Sequence, residues 1–231
     1  MSDVGTNGDK ATVAFLGLGN MGGPMAANLV GAGHEVRGFD PVEAAQQAAR
    51  EAGITVCESP AEAVRGASVV ITMLPNGALV TSTYEEVLPV AGAGTLFIDS
   101  STISVDDARA VHAKAVEAGM LQVDAPVSGG VKGATAGTLA FMVGGEDEAF
   151  EAAKPVLEPM AGKIIHCGGP GAGQLDQPRR QRQERVGVQG CAVREPHPEP
   201  VGRVGGRAVG DLGQPEPGVD QRCVGVDVRA H

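Results

Sequence analysis

"TVAFLGLGNMGGPMAANLVGAGHEVRGFD", residues 12–40, decides the fold. Residues 12–16 are a short apolar run of strand formers, and Gly17, Gly19 and Gly22 follow at once in GxGxxG spacing. Met21, Met25, Leu29 and Ala32 then recur at helical intervals. Pro24 sits in the first turn, where a missing N–H costs little, and Gly31 and Gly33 can close the helix. A buried strand, a glycine turn and an amphipathic helix in this order open a dinucleotide-binding unit. "HEVRGFD" supplies the second strand and ends in Asp40, about 20 residues beyond the glycines, where an acid accepts ribose hydroxyls. The glycines let backbone N–H groups approach a pyrophosphate at the helix N-terminus. Asp40 repels a 2′-phosphate, so NAD is expected in preference to NADP. A merely tight turn would explain the glycines, but neither the helix nor the acid.

The alternation continues. "GITVC" (53–57) reads as a third strand and "SPAEAVRGA" (59–67) as a helix capped by Ser59 ahead of Pro60. "SVVITML" (68–74) and "TLFIDSS" (95–101) are the fourth and fifth strands, "DDARAVHAKAVEAG" (106–119) is a helix, and "LQVDAPV" (121–127) is a sixth strand. The fold class is therefore α/β, a Rossmann-type doubly wound, mainly parallel sheet. Ligands of such sheets bind at the carboxyl ends of the strands. That nominates the loops "LPNG" (74–77), "SSTIS" (100–104) and "VSGGVKG" (127–133).

Composition bounds the rest. The chain has 231 residues, 42% of them hydrophobic, with a net charge of -10, which argues against nucleic acid or an anionic membrane surface as partner. Cys57, Cys167, Cys191 and Cys223 lack CxxC spacing, so neither a zinc site nor a disulfide framework is signalled, no metal is expected, and a reducing cytoplasmic setting fits. "MSDVGTNGDK" (1–10) has no apolar core of a signal peptide and should be a flexible N-terminus, ahead of a dinucleotide-binding domain over 11–174.

"FLGLGNMGGPMAANL", "MLPNG", "IDSSTIS" and "DAPVSGGVKGATAGTLAFMVGG" occur in this order, and over residues 12–174 the chain resembles the β-hydroxyacid dehydrogenases, 3-hydroxyisobutyrate dehydrogenases in particular. The resemblance implies that Gly17, Leu18, Gly19, Asn20, Met21 and Gly22 hold the cofactor phosphates. By the same likeness Leu74, Pro75, Asn76 and Thr102 line the adenosine and nicotinamide regions, and Ser128, Gly129 and Gly130 contact the carboxylate and hydroxyl of a small hydroxyacid substrate. Bland readings stand beside these: Ser128 as a turn residue, Thr102 as the cap of the following helix, and His34, His112, His166 and Lys132 as surface or strand-end groups. The implied activity is NAD-dependent oxidation of a 3-hydroxy carboxylate. A tartronate or succinic semialdehyde reductase of the same family and a non-catalytic NAD(P)-binding remnant are the alternatives.

Beyond Gln174 the chain departs from that family. The pattern after "GGPGAGQ" calls for a catalytic lysine three residues on, an asparagine four residues later, and a long helix entering an all-helical domain. Gln177 stands at the lysine position, so no catalytic residue is assigned. Residues 175–231 contain no Lys, Ser, Thr, Ile, Phe, Met, Asn, Tyr or Trp, and Leu only at 175 and 212. With so little apolar material this tail should be disordered, and the family's oligomer is not expected without the helical domain. Apart from Cys191 and Cys223, every tail residue can be encoded by a codon beginning in G or C. A GC-rich gene read so that old third bases become new first bases gives this alphabet. Under that shift Gln177 hides a codon starting AA or AG and Gln181 permits a hidden asparagine, so the tail reads as a frameshifted translation. A Pro/Gly/Arg-rich extension in its own right is the rival, and its Arg/Gly stretches lack the aromatic residues that stack on bases.

Overall fold

The computed structural model describes residues 10–177 and the backbone of 224–227. The flexible terminus expected over 1–10 lies outside the described residues except for Lys10. Five short apolar segments make the parallel body of the sheet: β1 (Thr12–Leu16), β2 (Glu35–Phe39), β4 (Val69–Thr72), β5 (Leu96–Asp99) and β6 (Leu121–Asp124), with β3 (Thr55–Val56) at one edge. The strand order is β3-β2-β1-β4-β5-β6, every neighbouring pair parallel. The order reverses between β1 and β4, the point where a doubly wound sheet opens a crevice at its carboxyl edge. Beyond β6 the sheet turns mixed: β8 (Leu139–Gly144) runs antiparallel to β6, β9 (Ala161–Gly168) is parallel to β8, and β7 (Val127–Ser128) pairs with β8 off the main path.

Alternate residues of each strand feed opposite faces, so two cores form. Val13, Phe15, Val69, Ile71, Leu96 and Ile98 pack with α1 (Gly22–Gly31), α2 (Glu43–Glu51) and α7 (Asp147–Leu157) on one side. Ala14, Leu16, Val70 and Phe97 pack with α3 (Pro60–Val64), α4 (Gly77–Val87) and α5 (Val105–Glu117) on the other. On that second side the Tyr84 and Phe97 rings meet in a tilted pair, 5.1 Å between centroids. Burying each large apolar side chain contributes about 1.5–3 kcal/mol, which is why the strands read as nearly continuous hydrophobic runs. Ser59 caps α3 as its sequence suggests, its Oγ accepting the Glu62 N–H at 3.1 Å.

Two details differ from readings of the sequence, the alternative of Thr102 as a cap and the extent of the irregular tail. Thr102 does not cap the helix that follows it: Ser104 does, its Oγ accepting the Asp107 N–H at 3.0 Å, because α5 begins two residues later than that reading needs. The tail assigned to 175–231 is not wholly irregular where it is described. Residues 172–177 form one helical segment, and Val224–Asp227 forms β10, antiparallel to β9. The helical segment carries on because its side chains and amides find partners in the folded domain. Strand β10 carries alternating valines and completes the open edge of β9. The rest of the expected disordered tail lies outside the described residues.

Candidate functional site

At the carboxyl end of β1 the three glycines do different work. Gly17 takes φ +98°, and its N–H donates to Phe39 O at 2.9 Å, tying the turn to β2. A Cβ there would lie 2.3 Å from Met73 O, and one on Gly22 only 1.9 Å from Gly17 O, so neither position has room for a side chain. A Cβ on Gly19 would meet nothing within 4 Å, and Gly19 faces an open cavity. No side chain caps α1; the Gly23 N–H donates to Gly19 O at 2.9 Å and Pro24 has none, so the Gly22 amide is the first-turn donor left for an anion. Asp40 is buried at the end of β2: Oδ2 accepts the Leu18 N–H at 2.8 Å and Oδ1 the Val42 N–H at 2.9 Å. Each carboxylate oxygen keeps a lone pair for a hydroxyl donor. Leu18, Gly19, Asn20 and Asp40 form one wall of the cavity of about 780 Å³, facing alanines of α2 and Val131 and Thr135 of α6 (Gly130–Ala136). These residues fit a dinucleotide: open backbone amides for phosphates, an acid for ribose, and an apolar hollow beside them.

The second cluster joins the ends of β5, β6 and β7. Asp99 is fully buried, and its Oδ1 accepts Thr72 Oγ1 at 2.8 Å and the Ser101 N–H at 3.1 Å. Burial raises its carboxyl to about 6 against the lowering effect of the Ser101 and Thr72 hydrogen bonds. Ser101 Oγ accepts the Leu74 N–H at 2.9 Å, joining the "SSTIS" loop to the "LPNG" loop. Gln174 Nε2 donates to Ser101 O at 2.7 Å, and its Oε1 accepts the Ile103 N–H at 3.3 Å. Gln177 is buried, and its Nε2 donates both to Thr102 Oγ1 at 2.8 Å and to Val127 O at 3.1 Å. Residue 177 thus lies between the two loops nominated for nicotinamide and substrate.

Several residues singled out by the sequence fall elsewhere. Among the proposed cofactor residues only Leu18, Gly19, Asn20 and Asp40 line the cavity; Gly17 and Gly22 shape the turn, and Met21 packs partly against the core. Asn76 caps α4 through Oδ1 and the Leu79 N–H, while Pro75 stays in the loop between Leu74 and that cap. Ser128 is buried in β7, and Gly129 and Gly130 follow with positive φ into α6. Lys132 is exposed on α6; His34 accepts the Ala11 N–H, His112 meets Gln122, and His166 stacks on Phe150. Sequence reasoning missed Asp124 and Gln174. Their signal was an acid at a strand end and a glutamine closing a glycine-rich turn, neither of which names a partner.

Residues 12–169 match the sequence profile of the NAD binding domain of 6-phosphogluconate dehydrogenase. The chain belongs to this NAD-binding domain family. It is 67% identical over 163 residues to a probable 3-hydroxyisobutyrate dehydrogenase of Mycobacterium tuberculosis, an alignment covering 71% of this chain and 55% of that protein. An NAD-dependent L-serine dehydrogenase of Pseudomonas aeruginosa is 48% identical over 166 residues, covering 71% of this chain and 56% of the relative. A solved structure of the Mycobacterium tuberculosis 3-hydroxyisobutyrate dehydrogenase with L-serine superposes with a TM-score of 0.75 at 62% identity, covering 77% of this chain and 61% of that one. The chain spans about half the length of the curated relatives it matches. Among the described residues of this NAD-binding domain, no helix is long and apolar enough to cross a membrane.

Proposed function

We propose that this chain is the dinucleotide half of an NAD-dependent enzyme that oxidises the hydroxyl of a small 3-hydroxy carboxylate, and that as it stands it binds NAD with little or no turnover. One observation carries the reading: the side chain at 177 bridges Thr102 and Val127 O, between the nicotinamide and substrate loops, and it is an amide. The nicotinamide, when bound, accepts hydride from the hydroxyl-bearing carbon. The protein must take the hydroxyl proton, and a neutral glutamine amide has no basic lone pair with which to do so. Ser128, Gly129 and Gly130 are suited to the substrate carboxylate, since small residues leave room beside the nicotinamide. Asp40 favours NAD over NADP by placing a carboxylate where a 2′-phosphate would sit. 3-Hydroxyisobutyrate and L-serine share the β-hydroxy acid unit, and names borne by the relatives make both the first substrates to try.

The sequence beyond Gln174 is, on this reading, a shifted frame that replaced the family's lysine and helical continuation. Titration with NADH followed by a turnover assay on both acids tests the proposal. Binding without turnover is the expected result. Robust turnover by the 231-residue chain would overturn it and make Lys132 the next base to examine. Sequencing the locus for a one-base change near codon 175 tests the frame directly.

A further inference from the structure

The second cluster holds a buried acid that the proposed chemistry does not use. Asp124 ends β6 at the carboxyl edge of the sheet and is 1% exposed. Its Oδ1 accepts the Gly171 N–H at 2.7 Å and its Oδ2 the Gln174 N–H at 3.1 Å, linking positions 47 and 50 residues apart. Burial raises its carboxyl above the ordinary range, while the amides of Gly171, Gln174 and Gly173 pull it back. The fit around it is close. Gly144 is its register partner on β8, and a Cβ there would lie 2.5 Å from Asp124 Oδ1 and 2.8 Å from the Ala172 and Gly173 nitrogens. A Cβ on Gly173 would lie 2.2 Å from Met142 O. The segment entering the 172–177 helix is therefore seated on β6 and β8 with one carboxylate as its anchor.

We propose that Asp124 is a positioning residue: by holding the amides of Gly171 and Gln174 it fixes the register of this segment, and so delivers the side chain at 177 between Thr102 and Val127. Residues 174 and 177 are three apart on one helical turn and share a face. The Gln174 clamp on Ser101 and Ile103 and the Gln177 bridge to Thr102 then follow from one placement. The functional meaning rests on the proposed reading of position 177 as the proton-transfer position, but the geometry does not depend on what that residue is.

The full chain, labelled with nitrogen-15, tests this. The Gln177 side-chain amide pair is identified by its loss in Gln177→Glu. In Asp124→Asn, which keeps size but turns an N–H₂ toward the backbone donors, that pair is expected to move to the shift of a solvated glutamine and exchange about tenfold faster, while amides of β1, β4 and β5 keep their protection. In Gln174→Ala the pair should stay, because the Gln174 backbone amide still reaches Asp124. A Gln177 pair unmoved in Asp124→Asn, with Gly171 and Gln174 deprotected, would mean that Asp124 is a local cap only and overturn the proposal. If Asp124→Asn does not fold, exchange of the unaltered chain under mild denaturant decides. Opening of Gly171, Gln174 and the Gln177 amide as one unit supports it, and independent opening of Gln177 sinks it. None of these readouts involves NAD or turnover, so an active chain would end the reading of position 177 and leave this inference standing.

Discussion

The two ends of the candidate site are built differently. At the cofactor end the glycine turn and the acid come from a single stretch, residues 17–42, and are bonded to one another over at most 22 positions. The substrate end is assembled from three distant stretches, with Gln177 reaching Thr102 across 75 positions and Gln174 reaching Ser101 across 73. A local unit survives whatever happens downstream of it. A composite unit is lost as soon as one contributor changes, and on the proposed reading the contributor that changed is the segment after Gln174.

The sharpest way to break the contrast is a turnover assay. Loss of general acid/base assistance typically costs about 10² to 10⁴ in rate, so NADH formation from 3-hydroxyisobutyrate or L-serine should be lower by at least that range than in the full-length relatives. Gln177→Lys alone should not restore it, because on the proposed reading the family's helical half is lost together with the lysine. Restoring the family's helical half together with a lysine at 177 should restore activity.

Asp99 offers the next largest effect. Its carboxyl is raised from the ordinary 3.8 to about 6, so the native state binds the proton more tightly than the unfolded chain. The stabilising contribution is complete below the ordinary value and is lost as pH rises through about 6; above that, the buried charge costs up to about 3 kcal/mol. Asp99→Asn keeps the acceptor for Thr72 and Ser101 and removes the charge. Its melting temperature should exceed that of the unaltered chain near pH 8 and approach it near pH 4. Equal gains at both pH values would contradict the assignment.

At the cofactor end, Asp40→Ser with Pro41→Arg should weaken NAD and improve NADP binding, read by titration with each. Losing a charge-assisted hydrogen bond typically costs about 1.5–3 kcal/mol, and here the anchor of the Leu18 amide goes with it, so the NAD loss should exceed the NADP gain. The smallest effect separates Ser104 from Thr102. Ser104→Ala should cost about 1 kcal/mol in denaturant unfolding as a lost cap and deprotect the Asp107 amide to exchange, whereas Thr102→Val, which removes the Gln177 hydrogen bond, should leave that amide protected.

How much of this was legible follows the same division. The strands 12–16, 69–72, 96–99 and 121–124 announce themselves because each is buried on both faces and so is largely apolar, with Asp99 and Asp124 coming at carboxyl ends. The helix α2 gave a weaker signal: its apolar face is alanine alone, only Ala49 of its nine residues is buried, and "EAAQQAARE" carries no stripe of large apolar residues. Helix α6 is seven residues of small side chains, too short for periodicity, and its start depends on the positive φ of Gly129 and Gly130. Asp40 was readable because its partner lies within one βαβ unit. Asp124 was not, since no local pattern says that an acid at a strand end will accept amides 47 positions away.

The double hydrogen bond of Asp40 has a kinetic consequence. With Leu18 and Val42 both held by one carboxylate, the glycine turn is already closed around the place where a diphosphate enters. Little chain entropy remains to be lost on association, because the loop need not search for its bound form. Stopped-flow mixing with NADH should therefore show one exponential whose rate rises linearly with cofactor concentration, without the plateau that a slow loop closure imposes.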